Sequence, residues 1–253
     1  MMAARFIMGA AEASYGPGVP YLLTFFYLRK ELGYRAGLFL SAAPLATTFS
    51  GALAYGITHG HNEALANWRV LFLVEGLPTI VMAFVTWFYL PDSPEAARFM
   101  TAEEKVVARQ REVAQVGAEA EHRLGHINLK DVGAAFLQPQ NYFTALMYFS
   151  CNVSFASLPV FLPIILAEMG FSSINAQGLT APPFFFSFLV TITASYIGDK
   201  WQRAYLIMIL SAVGGIGYVI LATTKGVGPR YFAVFLAAGG VFPTIVRLIF
   251  RAY

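Results

Sequence analysis

Arg5 and Glu12 stand in the stretch RFIMGAAEASYGPGVPY, residues 5–21, which is otherwise apolar or small. Seven helical steps bring Glu12 to within about 20° of the face that carries Arg5, about 10 Å further along the axis. A full charge at bilayer depth costs from a few to more than about 10 kcal/mol, so such a pair belongs in a protein interior or a watery cavity. Gly9, Gly16 and Gly18 permit close helix contact, and Pro17 and Pro20 offer bends. A charged, glycine-lined, bendable helix points to a path for something charged. Arg5, four residues from the first residue, also fits a side chain that snorkels to the membrane surface. Glu12 is too short and too deep for that.

Other chemistry is thin. Cys151 is the single cysteine, which excludes an intrachain disulfide and a cysteine metal site. His59 and His61 read as loop residues, and no metal site is expected. No carboxylate pair, nucleophile with a base, or glycine loop for phosphate stands out, so neither catalysis nor a cofactor is expected. Tyr15, Asn152 and Gln177 complete the polar candidates for contacting a substrate.

These residues need elements to hold them, and composition says which. Of 253 residues, 57% are hydrophobic and 12% charged, whereas a soluble domain is about 25% charged. This is the make-up of an all-α polytopic membrane protein, with the lipid bilayer as its surroundings. The net charge of +3 fits basic cytoplasmic loops, not nucleic-acid binding. No basic segment with a cleavage site precedes the first helix, so no signal peptide is expected.

About 20 apolar residues span the hydrocarbon, and seven segments qualify: 3–27, 36–57, 70–90, 142–166, 178–197, 204–222 and 231–250. Glu75 lies within the third. Connectors with Arg29, Lys30 and Arg35, the six basic residues of 91–141, Lys200 and Arg203, and the final Arg251 alternate with connectors holding only Arg69, Lys225 and Arg230. The positive-inside rule puts the richer set in the cytoplasm and the first residues outside. The polar segment 91–141 divides the chain into three membrane helices (1–90) and four (142–253). It opens on Leu90-Pro91-Asp92-Ser93-Pro94, a helix stop, and its Thr101-Ala-Glu-Glu104 is a capping box before a charged surface helix. Residues 128–137 have the spacing of a short helix lying on the membrane.

Several local patterns coincide along this frame. Arg5-Phe-x-x-Gly9-x-x-Glu12-Ala13 resembles the fourth helix of major facilitator superfamily transporters, in particular of the anion:cation symporter family. Asn67-Trp68-Arg69-x-Leu-Phe72-x-x-Glu75-Gly76 resembles the start of the sixth helix, and Leu90–Pro94 its end. Phe161-Leu-Pro163 and Ala176-Gln177-Gly-Leu-Thr180-Ala-Pro182-Pro183 resemble helices seven and eight of the fungal allantoate/nicotinate-permease branch. Gly198-Asp199-x-x-x-Arg203 resembles the superfamily's loop between helices eight and nine.

The resemblance implies a partial major facilitator fold, helices four to ten of twelve, in bundles of three and four. It implies proton-coupled uptake of a small organic anion, a carboxylate such as nicotinate or allantoate, across the plasma membrane. Arg5 would bind the anion, Glu12 would couple protons, and Asp199 and Arg203 would gate the conformational change. Alternating access uses two six-helix halves, so the chain alone would not complete a transport cycle. A seven-helix receptor or sensor is the competing expectation, suggested by the count of seven alone; a non-transporting membrane fragment that binds a partner is the third.

Overall fold

The computed structural model describes residues 2–60, 65–91, 93–116, 133, 136–201 and 205–252. The described residues form eight long helices: α1 (Met2–Phe26), α2 (Arg29–His59), α3 (Asn67–Tyr89), α4 (Ala102–Val116), α5 (Pro139–Glu168), α6 (Ser173–Trp201), α7 (Tyr205–Thr223) and α8 (Val227–Ala252). All seven expected membrane segments are helical, and α4 is the expected surface helix. Four stretches are long and apolar enough to cross a bilayer: Glu31–His59, Asn67–Tyr89, Pro139–Glu168 and Ser173–Lys200; Met208–Thr223 is a shorter apolar helix. Most of the short helix expected at 128–137 lies outside the described residues.

The chain divides into two compact units, Met1–Leu32 with Phe84–Leu137, and Gly33–Ala83 with Gln138–Tyr253. These units cut across chain order, because α2 and most of α3 group with α5–α8.

In the first unit, α4 is fixed at its start by side chains. The Thr101 amide donates to Glu104 Oε2 at 2.8 Å, and the Glu104 amide donates back to Thr101 Oγ1 at 3.3 Å. This is the reciprocal capping expected from the sequence, and it satisfies amides that the first helical turn leaves unpaired. Those hydrogen bonds, from the backbone first and the hydroxyl second, hold the Glu104 carboxyl below its ordinary value. Lys105 Nζ donates to the Glu95 carbonyl at 2.8 Å and Arg109 pairs with the Glu95 carboxylate at 3.3 Å. Arg111 reaches Glu31, in the first turn of α2, at 3.4 Å. The Phe26 and Phe99 rings stack 6.4 Å apart.

The second unit holds the core. Leu158, Leu162 and Leu166 repeat every four residues on one face of α5 and are buried against Phe184 of α6 and Val234, Ala237, Ala238 and Phe242 of α8. Phe242 is the centre of this cluster, 4.7 Å from the Phe155 ring and 5.7 Å from that of Phe184. Phe185 and Phe186 are exposed, whereas Phe184 is fully buried: successive helical residues point about 100° apart, so Phe184 enters the core while Phe186 meets the Phe235 ring of α8 at its edge, 5.8 Å away. Two polar side chains of this core bond to backbone: Ser187 Oγ donates to the Ala238 carbonyl at 2.9 Å, and Tyr231 Oη to the Leu179 carbonyl at 3.1 Å.

The α7–α8 pair is close-packed through backbone. A Cβ on Gly217 would lie 2.6 Å from the Ala237 amide nitrogen, and one on Gly214 would lie 3.3 Å from the Gly240 Cα. Only glycine fits where two helix backbones approach this nearly. Gly170, at a φ of 99°, ends α5 in the left-handed conformation that stops a helix cheaply only with glycine.

Candidate functional site

Arg5, Glu12 and Tyr15 all lie on α1, in the first unit. The helix runs unbroken through Pro17 and Pro20, so the shared face inferred from spacing is kept. Arg5 and Glu12 are both exposed, as are Phe6, Ile7 and Met8 between them. Around Gly9, Gly16 and Gly18 no described atom comes within 4 Å of where a Cβ would stand. Arg5 and Glu12 thus stand exposed on α1, with open space beside Gly9 and Gly16.

Asn152, Gln177 and Asp199 lie in the second unit. Asn152 is half-buried on α5. Gln177 is half-buried in the second turn of α6, not ahead of that helix as the sequence suggested; α6 begins at Ser173, where the Ser172 hydroxyl accepts the Asn175 amide at 3.3 Å. Its carbonyl accepts the Thr180 hydroxyl at 2.7 Å.

Asp199 was expected in a loop and sits in the last turn of α6. Its Oδ2 accepts the Tyr34 amide of α2 at 2.8 Å. A Cβ on Gly33 would collide with Asp199 Oδ1, so the glycine is what lets the carboxylate lie on the α2 backbone. The Tyr34 and Tyr196 rings meet edge to face, 5.9 Å apart, beside it. A carboxylate near its own helix C-terminus is disfavoured by the helix dipole, while one near the start of another helix is favoured. The bond to α2 thus offsets a local penalty, and a hydrogen bond to a charged acceptor contributes about 1.5–3 kcal/mol. Arg203, the expected partner in gating, lies outside the described residues.

Gly33 and Tyr34 were not singled out from sequence. The available signal was the Gly-Tyr pair one turn into α2, which becomes meaningful only once Asp199 is seen to land on it.

A profile of the Major Facilitator Superfamily matches residues 1–253. The chain belongs to the major facilitator superfamily. It is 33% identical over 249 residues to the MFS transporter prlL of Fungal sp. (strain NRRL 50135), covering 97% of this chain and 50% of that protein. It is 33% identical over 246 residues to the MFS-type transporter efuF of Hormonema carpetanum, covering 96% and 49%. It is 31% identical over 249 residues to the major facilitator-type transporter hxnP of Emericella nidulans, covering 96% and 49%. The chain spans about half the length of these relatives. No solved structure matches it significantly. As a superfamily member with apolar helices of spanning length, it is an integral membrane protein. The receptor alternative finds no support in these matches.

Proposed function

We propose that the chain works within a secondary active transporter that takes up a small organic anion, a carboxylate such as nicotinate or allantoate, together with protons, at the plasma membrane. The observation that carries this reading is the placement of Arg5 and Glu12 on one face of the otherwise apolar α1. Arg5 offers a planar, permanently charged fork that matches a carboxylate with two parallel hydrogen bonds. Glu12, seven residues further along the same helix face, is the acid of this reading. The anion held at Arg5 and the proton carried by Glu12 cross on one helix face, which couples the two fluxes. Tyr15, Asn152 and Gln177 supply hydrogen bonds that select among anions.

Asp199 serves as the cytoplasmic gate in this reading. Its carboxylate ties α6 to α2, and losing that bond frees the two helices to part. Arg203 assists it. The positive-inside bias of the connectors supports placing this end in the cytoplasm.

The test is uptake of labelled carboxylates by cells expressing the longest reading frame that contains this chain, with Arg5→Lys and Glu12→Gln as variants and Glu103→Gln as control. Loss of uptake in Arg5→Lys and loss of proton dependence in Glu12→Gln are expected. Carboxylate uptake at the normal rate and with normal proton dependence in both variants would refute the assignment.

A further inference from the structure

Arg230, in the first turn of α8, is a charged residue of the second unit that the transport reading leaves unused. Its amide donates to the Gly226 carbonyl at 3.2 Å, so the residue belongs to the helix proper. Three, four and seven residues further on stand Ala233, Val234 and Ala237, all fully buried. Each lies within about 60° of Arg230 around the helix axis. Arg230 therefore begins the face of α8 that packs into the unit. A helical side chain leans toward the start of its own helix, which directs this one to the end of the packed face.

An arginine that snorkels brings its guanidinium into water. Here Nε is shielded from solvent and meets no hydrogen-bond acceptor among the described residues. Buried donors are nearly always paired, because leaving one unpaired forfeits its bond to water with nothing in return. The chain around it supplies few partners. No aspartate or glutamate follows Asp199, and Glu168 is the one acidic residue between Pro139 and Gly198. Glu168 ends α5 and is exposed. No ion pair joins it to Arg230 among the described residues.

The positive-inside rule places the end of α5 and the start of α8 outside. Lys225, exposed in the connector five residues before Arg230, adds a second positive charge there. These two are most of the basic residues that the outer connectors hold, the third being Arg69. The charges in this part of the unit are thus mainly positive, and a surface of one sign concentrates ions of the other.

We infer that Arg230 binds an oxyanion, a carboxylate or a phosphate group, at the outer end of the second unit. A guanidinium offers its Nε and an Nη hydrogen as two parallel donors to two oxygens of such a group. That the oxyanion is the carboxylate being taken up rests on the transporter reading, in which this is a second anion site besides Arg5. A phospholipid headgroup has the same chemistry, and the experiment separates the two sources.

The test is chemical modification of the unaltered protein of the full reading frame, purified in a non-ionic detergent free of phospholipid. Phenylglyoxal reacts with arginine, and mass spectrometry reads the peptides that hold Arg230 and Arg69. Millimolar nicotinate or inorganic phosphate should slow modification of Arg230 about tenfold and leave exposed Arg69 unchanged. Slowing relative to Arg69 in nanodiscs of phosphatidylglycerol, but with neither soluble anion in detergent, would support the site and name the lipid as its source. Equal slowing at both arginines, or none under any of these conditions, would overturn the inference. So would an Arg230 that resists the reagent without added anion, since its site would then be closed to solutes. Modification requires no transport: protection of Arg230 in a protein that takes up no carboxylate would count against the functional reading and leave the site standing.

Discussion

Removing the Asp199 carboxylate should loosen the start of α2 by an amount that can be worked out from its one described bond. Tyr34 N–H donates to Oδ2 at 2.8 Å, and a hydrogen bond to a charged acceptor contributes about 1.5–3 kcal/mol, or a factor of about 10–150 in an opening equilibrium. Asp199 is half-exposed, so the lower part of that range is expected. Asp199→Ala should speed hydrogen exchange at the Tyr34 amide about tenfold in a lipid nanodisc. Asp199→Asn keeps an acceptor without the charge, and should give an acceleration of about fivefold or less. Gly33→Ala should act as Asp199→Ala does, because its Cβ would displace the carboxylate. Lys200→Ala, a neighbouring exposed site, should leave the amide unchanged. Exchange at Tyr34 unaltered by both Asp199→Ala and Gly33→Ala would refute the reasoning that this carboxylate holds α2 to α6.

Other consequences are simpler. Leu162→Ala, at a fully buried position, should cost about 2–5 kcal/mol, read as a lower midpoint of unfolding in detergent. Gly217→Leu should disrupt α7–α8 and reduce folded yield, while Gly215→Ala, with no described atom near its Cβ position, should be tolerated; equal yields for the two would contradict the packing. For Glu104 the folded carboxyl titrates below the 4.5 of a free glutamate. Its contribution to α4 is therefore fully present above that pH and is lost as pH falls through the depressed value. Hydrogen exchange in α4 should accelerate only in that acidic window, and Glu104→Gln should remove the dependence. Reversing the Arg111–Glu31 pair, exposed at Arg111 and half-buried at Glu31, should shift stability by about 1 kcal/mol or less, and less still in high salt.

The helices were legible because their signals are local. Apolar runs set the seven membrane segments, and Thr101 and Glu104 announced α4 at the spacing where they bond. Helix ends were less readable. The polar Asn175, Gln177, Asp199 and Lys200 looked like connector, yet each extends α6, because a membrane helix continues into the interface where polar side chains meet water. The alternation of Phe184 from its neighbours needed a fixed helical phase, which a run of three identical residues does not supply. At the site, Arg5 and Glu12 stood out as charges in an apolar stretch, and Asp199 through its motif. The counterpart of Asp199 did not: Gly33 matters for what occupies the space beside it, and that comes from a helix more than a hundred residues away in the chain.

The central claim is that Glu12 carries the proton that drives anion uptake, and it is tested most directly by Glu12→Gln in the full reading frame. Glutamine keeps the size and hydrogen bonding of the side chain but releases no proton. Labelled carboxylate should then still exchange across the membrane, while uptake no longer responds to an imposed proton gradient. Uptake that retained its normal response to the gradient would contradict the claim and leave Glu12 with a packing role.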